Sequence, residues 1–324
     1  MFATMSHAMK HFCLLLLLPL SLWSQHSYDQ AVRLFHQEKF QQAKPLFQDY
    51  LAQHPNHVAS REYLGDIEGY TRNWNEALDY YKPLLAEDPN NANYHFKVGG
   101  VLGMKALDNK LAAITIVDDI KFHFEKAAQL DPGHIEARWA LVEFYLQVPG
   151  IFGGSEKKAL QNAKELLKIS PVDGYLSLGY IAEYSDRPND AETYYKKAVD
   201  VGGSPHTYEK LSNLYENNNR PGDAIKTNQK SLEMHQRNRL NYQIGKIAAQ
   251  YNLEAQLGIR CLQAYISNHT VRDGVPKDWA YFRLAQIYKN LGNKDRALQW
   301  INKALRDRPD FSEAKKEKEQ ILSL

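Results

Sequence analysis

Apolar residues recur along most of this chain three and four positions apart, the spacing of helices that bury one face. The helices come in pairs. A small residue falls midway along the first member of each pair: Gly65, Gly99, Gly179, Gly245 and Ala285. Alanine opens the second member at Ala43, Ala77, Ala159, Ala191, Ala224 and Ala297. A large residue follows one turn later at Phe47, Tyr81, Phe124, Tyr195 and Ile301. Small set against large is what close packing of two helices demands. Pro55, Pro89, Pro132, Pro171 and Pro309 fall just past the second helices, where proline prevents the helix from continuing. First helices are predicted to begin near Gln25, Val58, Ala92, Ile135, Val172, Pro205, Asn238 and Asp278. The second helix after Asn238 is read as carrying Leu257, Cys261 and Ala264. The one after Pro205 is read as carrying Ala224, Asn228 and Ser231. One such pair cannot bury its own apolar face, whereas stacked pairs can.

Three copies make the period of about 34 residues explicit. One runs Trp279, Leu284, Ala285, Tyr288, Ala297, Ile301, Ala304 and Pro309. Another runs Leu64, Gly65, Ala77, Tyr81, Leu84 and Pro89, and a third runs Leu178, Gly179, Ala182, Ala191, Tyr195 and Ala198. These residues resemble the tetratricopeptide repeat. The resemblance implies an all-α fold, a right-handed α-solenoid of about eight helix-turn-helix units. They would span residues 25–309, closed by a capping helix over 310–324. The Lys- and Glu-rich tail from Phe311 to Leu324 fits a solvated end helix. A further run, Ala137 to Ala159, is similar to a segment of secreted bacterial repeat proteins.

Two insertions interrupt the period. Extra residues around Ala106 to Val117 keep helical spacing and are expected to lengthen a helix or add a turn. The run from Pro149 to Ser155 stops a helix at Pro149. Gly150, Gly153 and Gly154 open backbone angles closed to other residues, and Ser155 can cap the next helix with Glu156 in its first turn.

Residues 1–24 read as a signal peptide. Lys10 precedes the apolar run FCLLLLLPLSLW, which is short for a membrane span, and Ser24 offers a small residue for cleavage. An uncleaved anchor is the alternative. Export to a periplasm or to the outside is therefore expected, with no stable membrane insertion after cleavage. Cys13 lies inside the apolar run rather than after it, which argues against lipidation there. Cys261 is the remaining cysteine and is expected to be a buried, inert thiol. Without Lys10 the cations number 39 (40 minus 1) against 38 acids. That balance gives no basic stripe for nucleic acid.

No chemistry-bearing motif emerges. There is no G-x-S-x-G elbow and no H-E-x-x-H helix. GIFGGSEKK lacks the Gly-Lys-Ser/Thr core of a phosphate loop. His54 and His57 flank Pro55, and His206, His235 and His269 are scattered; all are read as solvated turn histidines, with no metal site. The chain is thus expected to be no enzyme and to need no cofactor. In relatives of the resembled family the first helices line a concave groove that takes peptides. By spacing, that face carries Tyr28, Glu62, Asp66, Phe96, Trp139, Glu143, Tyr180, Glu183, Tyr184, Glu209, Asn213, Glu216, Tyr242, Lys246, Phe282 and Gln286. Trp139, Glu143, Tyr180, Glu183, Glu209, Asn213, Glu216 and Tyr242 are the favoured partner-binding set. Aromatics with interleaved acids suit an extended segment carrying apolar and basic side chains. Glu143, Glu183, Glu209 and Glu216 are expected to face one cavity. The main expectation is a secreted or periplasmic scaffold that binds a protein or peptide of the cell envelope. The alternative is a small-molecule-binding accessory of an envelope transport or secretion system, with its ligand near Gly150, Gly153, Gly154 and Ser155.

Overall fold

The computed structural model describes residues 26–324, apart from the side chains of 110–112. The signal-peptide segment, residues 1–24, lies outside the described residues. Among those described there are helices and turns and no strand. Contacts divide the chain into two units, one ending at Asn162 and the other spanning Ala163–Leu324. Unit 1 contains α1 (26–36), α2 (Phe40–Gln53), α3 (Val58–Tyr70), α4 (Trp74–Glu87), α5 (Ala92–Asp108), α6 (Lys110–Leu130) and α7 (Ile135–Gln147). The boundary falls inside α8 (Glu156–Ile169). Unit 2 continues with α9 (Pro171–Tyr184), α10 (Pro188–Gly202), α11 (Pro205–Asn217), α12 (Pro221–His235), α13 (Asn238–Gln250), α14 (Ala255–Ser267), α15 (Lys277–Asn290), α16 (Lys294–Asp307) and α17 (Ser312–Leu322).

From α2 to α7 and from α9 to α17 each helix packs on its neighbour in sequence, and first helices also touch across repeats, as in α5 with α7 and α13 with α15. This is the all-α repeat architecture that the sequence pattern implies. From α3 onward its first helices begin within a residue of the expected positions; the expected start at Gln25 lies outside the described residues. The small-against-large register explains why. A Cβ on Gly65 would sit 2.6 Å from the Tyr81 ring, and one on Gly179 would sit 2.4 Å from Tyr195. Each pair of helix axes is therefore as close as an absent side chain permits. Ala43, Ala77, Ala159, Ala191, Ala224 and Ala297 are fully buried on the other side of these crossings.

Turns and caps repeat as well. Asp186, between α9 and α10, has φ 54°, and Asn219, between α11 and α12, has φ 56°. These left-handed residues let Arg187 N–H reach back to Ala182 O and Arg220 N–H to Tyr215 O, closing the first helix of each pair. Five first helices, α3, α5, α7, α9 and α11, are capped by the residue just before them. His57, Asn91, His134, Ser170 and Ser204 each accept the N–H three residues on. His57 is thus not a solvated turn histidine: it caps α3 and packs edge-on to Tyr28 and Tyr50. His269 likewise bonds to the Val275 carbonyl at 3.0 Å.

The register of α14 differs from the expected one by a residue. Gly245 receives Leu262, where an added Cβ would lie 2.3 Å away, and Gly258 abuts Ala248. The repeating positions are therefore Gly258, Leu262 and Tyr265 rather than Leu257, Cys261 and Ala264. Glycine at the opening position hid the pattern. Cys261 is nonetheless buried, and burial raises its thiol pKa. In α12 the expected Ala224, Asn228 and Ser231 are all buried. Asn228 donates to Ser212 at 2.8 Å, so a polar pair fills the crossing that a small and a large apolar residue fill in the other pairs described. The first insertion lengthens α5 and α6 into the long hairpin of unit 1. The tail forms α17, which is more than a solvated end. Phe311, Ala314, Glu317 and Ile321 are buried, and α17 packs on α15 and α16.

Candidate functional site

The predicted partner-binding residues lie on first helices of the two units. Trp139 and Glu143 lie on α7 in unit 1, Trp139 half-buried and Glu143 exposed. The other six lie in unit 2: Tyr180 and Glu183 on α9, Glu209, Asn213 and Glu216 on α11, and Tyr242 on α13. Glu209, Asn213 and Glu216 are four and three residues apart, which places them on one stripe of α11. Glu209 and Asn213 are exposed, and Glu216 is half-buried. On α9 the Tyr180 and Tyr184 rings lie 6.3 Å apart, and Tyr184 is 53% exposed. Tyr242 is buried rather than presented. Burial raises its phenol pKa, and Arg283 of α15 works against that shift.

The acids do not stand as an open cluster. Glu183 accepts the Tyr195 hydroxyl at 2.9 Å and the Asn217 amide at 3.2 Å. Burial first, then Glu183, drives the Tyr195 phenol pKa upward, so this hydroxyl stays a donor. Lys246 on α13 lies 3.1 Å from Glu216 on α11. Unit 1 repeats the device: Lys97 on α5 reaches Glu62 at 2.8 Å and Asp66 at 2.6 Å on α3, and Tyr81 also donates to Asp66. Burial opposes the charge on Lys97, but Asp66 and Glu62 outweigh it and hold its pKa raised. At the C-terminal end Lys289 on α15 pairs with Glu317 on α17 at 2.6 Å. An acid or base on one first helix is thus answered from the next. Glu183 and Glu216 are bound in this ladder, whereas Glu209 remains on the exposed stripe. Spacing along any one helix does not reveal the ladder. Its signal was opposite charge roughly one repeat apart.

The Pro149–Ser155 corner is built from its own backbone. Phe152 N–H donates to Pro149 O, Gly153 N–H to Gly150 O, Gly154 N–H to Pro149 O and Ser155 N–H to Tyr145 O. Those four donors are engaged, so they offer no cradle for an anion. Gly153 has φ 98°, and a Cβ on Gly154 would lie 1.7 Å from Val148 O. Ser155 caps α8 by accepting the Lys158 N–H. The corner is a tight reversal with one apolar tip, Ile151, 87% exposed.

Among the described residues no group of three or more His, Cys, Asp or Glu side chains is arranged to hold a metal ion. No helix there is long and apolar enough to cross a membrane.

Two models of the tetratricopeptide repeat match the chain, one over residues 172–201 and 280–311 and the other over 28–92. No curated protein sequence matches it. Among solved structures, a tetratricopeptide repeat protein from Parabacteroides merdae aligns at 13% identity over 92% of this chain and 98% of its own, with a TM-score of 0.48. YrrB, described as a TPR protein with an unusual peptide-binding site, aligns at 16% identity over 60% of this chain and 97% of its own, with a TM-score of 0.44. PilF of Pseudomonas aeruginosa aligns at 14% identity over 69% and 95%, with a TM-score of 0.44.

Proposed function

Starting from a chain built of tetratricopeptide repeats, we propose that it is a non-enzymatic scaffold whose first-helix face in unit 2 holds an extended protein segment. The observation that carries this reading is the division of labour on that face. The ladder engages Glu183 and Glu216 between helices. It leaves Tyr184, Glu209 and Asn213 exposed on α9 and α11. An exposed phenol ring offers apolar contact at low entropic cost. The Asn213 amide both donates and accepts, as an extended backbone requires. Glu209 favours a basic side chain in the partner, and its contribution weakens with salt.

The setting follows from the N-terminal sequence alone: a short apolar run behind Lys10 supports export and cleavage near Ser24. The scaffold then works in the periplasm or outside the cell, on an envelope protein or peptide. Mass spectrometry of the purified protein's N-terminus tests this. A chain retained with residues 9–24 attached contradicts it.

The binding reading is tested by site-specific photocrosslinking in the native host. A photoreactive amino acid at position 209 or 213 is expected to trap a partner. The same group at Lys226 or Lys230, on the second helix α12, is expected to trap none. Crosslinks that form only from α12 contradict the assignment of the face.

A further inference from the structure

A feature of unit 1 stands apart from the proposed binding face. Two imidazoles meet between α5 and α6, with Nδ1 of His95 2.9 Å from Nδ1 of His123. Nε2 of His95 lies 3.1 Å from the Pro89 carbonyl oxygen. A carbonyl only accepts, so Nε2 of His95 carries the hydrogen. In the neutral ring Nδ1 of His95 is then bare and accepts. Nδ1 of His123 supplies the hydrogen, which leaves Nε2 of His123 bare. One backbone carbonyl thus fixes the tautomer of both rings.

We propose that His95 and His123 form an acid-sensitive latch that holds α5 to α6 at neutral pH and releases the hairpin on acidification. A proton on His95 has to enter at Nδ1, and it removes the acceptor. A proton on His123 enters at Nε2 and leaves the bond intact, but it places a charge in a half-buried site. Two protons leave two N–H groups facing each other. His95 is buried, and Phe122 packs edge-on to it. His123 lines a cleft of about 300 Å³ together with Lys82 and Leu85 of α4, Val98 and Leu102 of α5, and Asp119 of α6.

The charged neighbours are few. On His95, burial lowers the pKa, the bond to Pro89 opposes this, and Lys126 lowers it further. On His123, burial and then His95 lower the pKa to about 4, with Asp119 opposing and Lys82 assisting. The folded pair therefore resists protons that the opened hairpin accepts near pH 6.5. The sign follows directly. The latch is at full strength above about pH 6.5 and weakens as pH falls toward the folded-state values.

Native-state hydrogen exchange, corrected for intrinsic rates, tests the latch on the full chain. Between pH 7.5 and 5.0 the opening constant of α5 and α6 amides is expected to rise about 30-fold for each histidine that stays neutral when folded, approaching 1000-fold for both. The α15–α16 hairpin contains no histidine and is expected to change less than threefold. His95→Gln combined with His123→Gln is expected to flatten the α5–α6 response. A response equal in both hairpins, or unchanged in the double variant, overturns the proposal. If that variant does not fold, ¹⁵N imidazole spectra of the unmodified protein decide. The latch requires the Nδ1–H tautomer for His123 at pH 7.5 and no titration of either ring above pH 6. Titration of both rings near pH 6.5, or an Nε2–H tautomer on His123, rules it out.

Discussion

Replacing Gly179 by alanine tests the packing rule on which the helix pairs of unit 2 depend. The added Cβ would lie 2.4 Å, 2.5 Å and 3.0 Å from three atoms of the Tyr195 ring. Ordinary carbon contacts are about 3.5–4.0 Å, so the ring or the helix has to move by about 1 Å. Tyr195 is only 1% exposed and has no free side to move into. Its hydroxyl is also fixed to Glu183 at 2.9 Å. Overpacking costs about 1–3 kcal/mol, and weakening a hydrogen bond to a charged group costs up to about 1.5–3 kcal/mol. Alanine returns about 1 kcal/mol of helix propensity. The net expectation is a loss of about 3 kcal/mol in unit 2. Gly100→Ala is the matched control. It lies within α5, and nothing stands within 4 Å of its added Cβ. Propensity alone then acts, and the variant is expected to gain about 1 kcal/mol. Urea unfolding with hydrogen exchange on α9 and α10 measures both effects, since repeat stacks open locally. In a Tyr195→Leu background, Gly179→Ala should cost less than half as much. Two variants that shift stability in the same direction would refute the reasoning.

Three further outcomes follow from the geometry. Asp186→Gly is expected to stabilise the α9–α10 turn by about 1 kcal/mol, because φ 54° strains a residue with a side chain; a fall in melting temperature contradicts this. Gly154→Ala is expected to cost about 3 kcal/mol by driving a Cβ into the Val148 carbonyl; an unchanged urea midpoint would show that the corner is not the tight reversal described. Glu192 is held at a pKa of about 2 by its bond to Arg220, with burial opposing and Lys196 and Tyr215 assisting. A depressed carboxylate contributes stability above its unfolded pKa of about 4.5 and loses it as pH falls toward 2. Glu192→Gln should therefore flatten thermal stability over that window, by about 1 kcal/mol for a solvent-screened network; a pH profile parallel to that of the unmodified chain is the opposing result.

The repeat was legible because it is a packing pattern, and packing constrains residue size at fixed spacing. Gly65 with Tyr81 and Gly179 with Tyr195 announce their crossings in the sequence, as the observed contacts show. The α13–α14 pair keeps small against large at Gly245 and Leu262, but glycine rather than alanine opens α14 at Gly258, so the expected register falls one residue out. The caps were only half visible. Ser170 and Ser204 are familiar cap residues, whereas His57 and His134 perform the same task with a ring nitrogen. The first-helix face was legible as a set of positions but not as an electrostatic surface. Whether Glu216 is open or paired depends on Lys246 standing one repeat away at 3.1 Å, a distance that spacing along a single helix does not encode. The His95–His123 pair was invisible for the same reason: its members lie on the two arms of a hairpin lengthened by an insertion.

The central claim is that the exposed stripe of α9 and α11 recognises the partner while the ladder beneath it holds the helices. The direct test is the affinity of the crosslinked partner, once purified, for Tyr184→Ala combined with Glu209→Gln and Asn213→Ala. The fold should survive, because these three side chains are exposed. The account predicts that Kd rises at least tenfold, about 1.4 kcal/mol, and that the salt dependence of binding becomes flatter. An affinity unchanged in a fully folded variant would place recognition away from the first-helix face of unit 2.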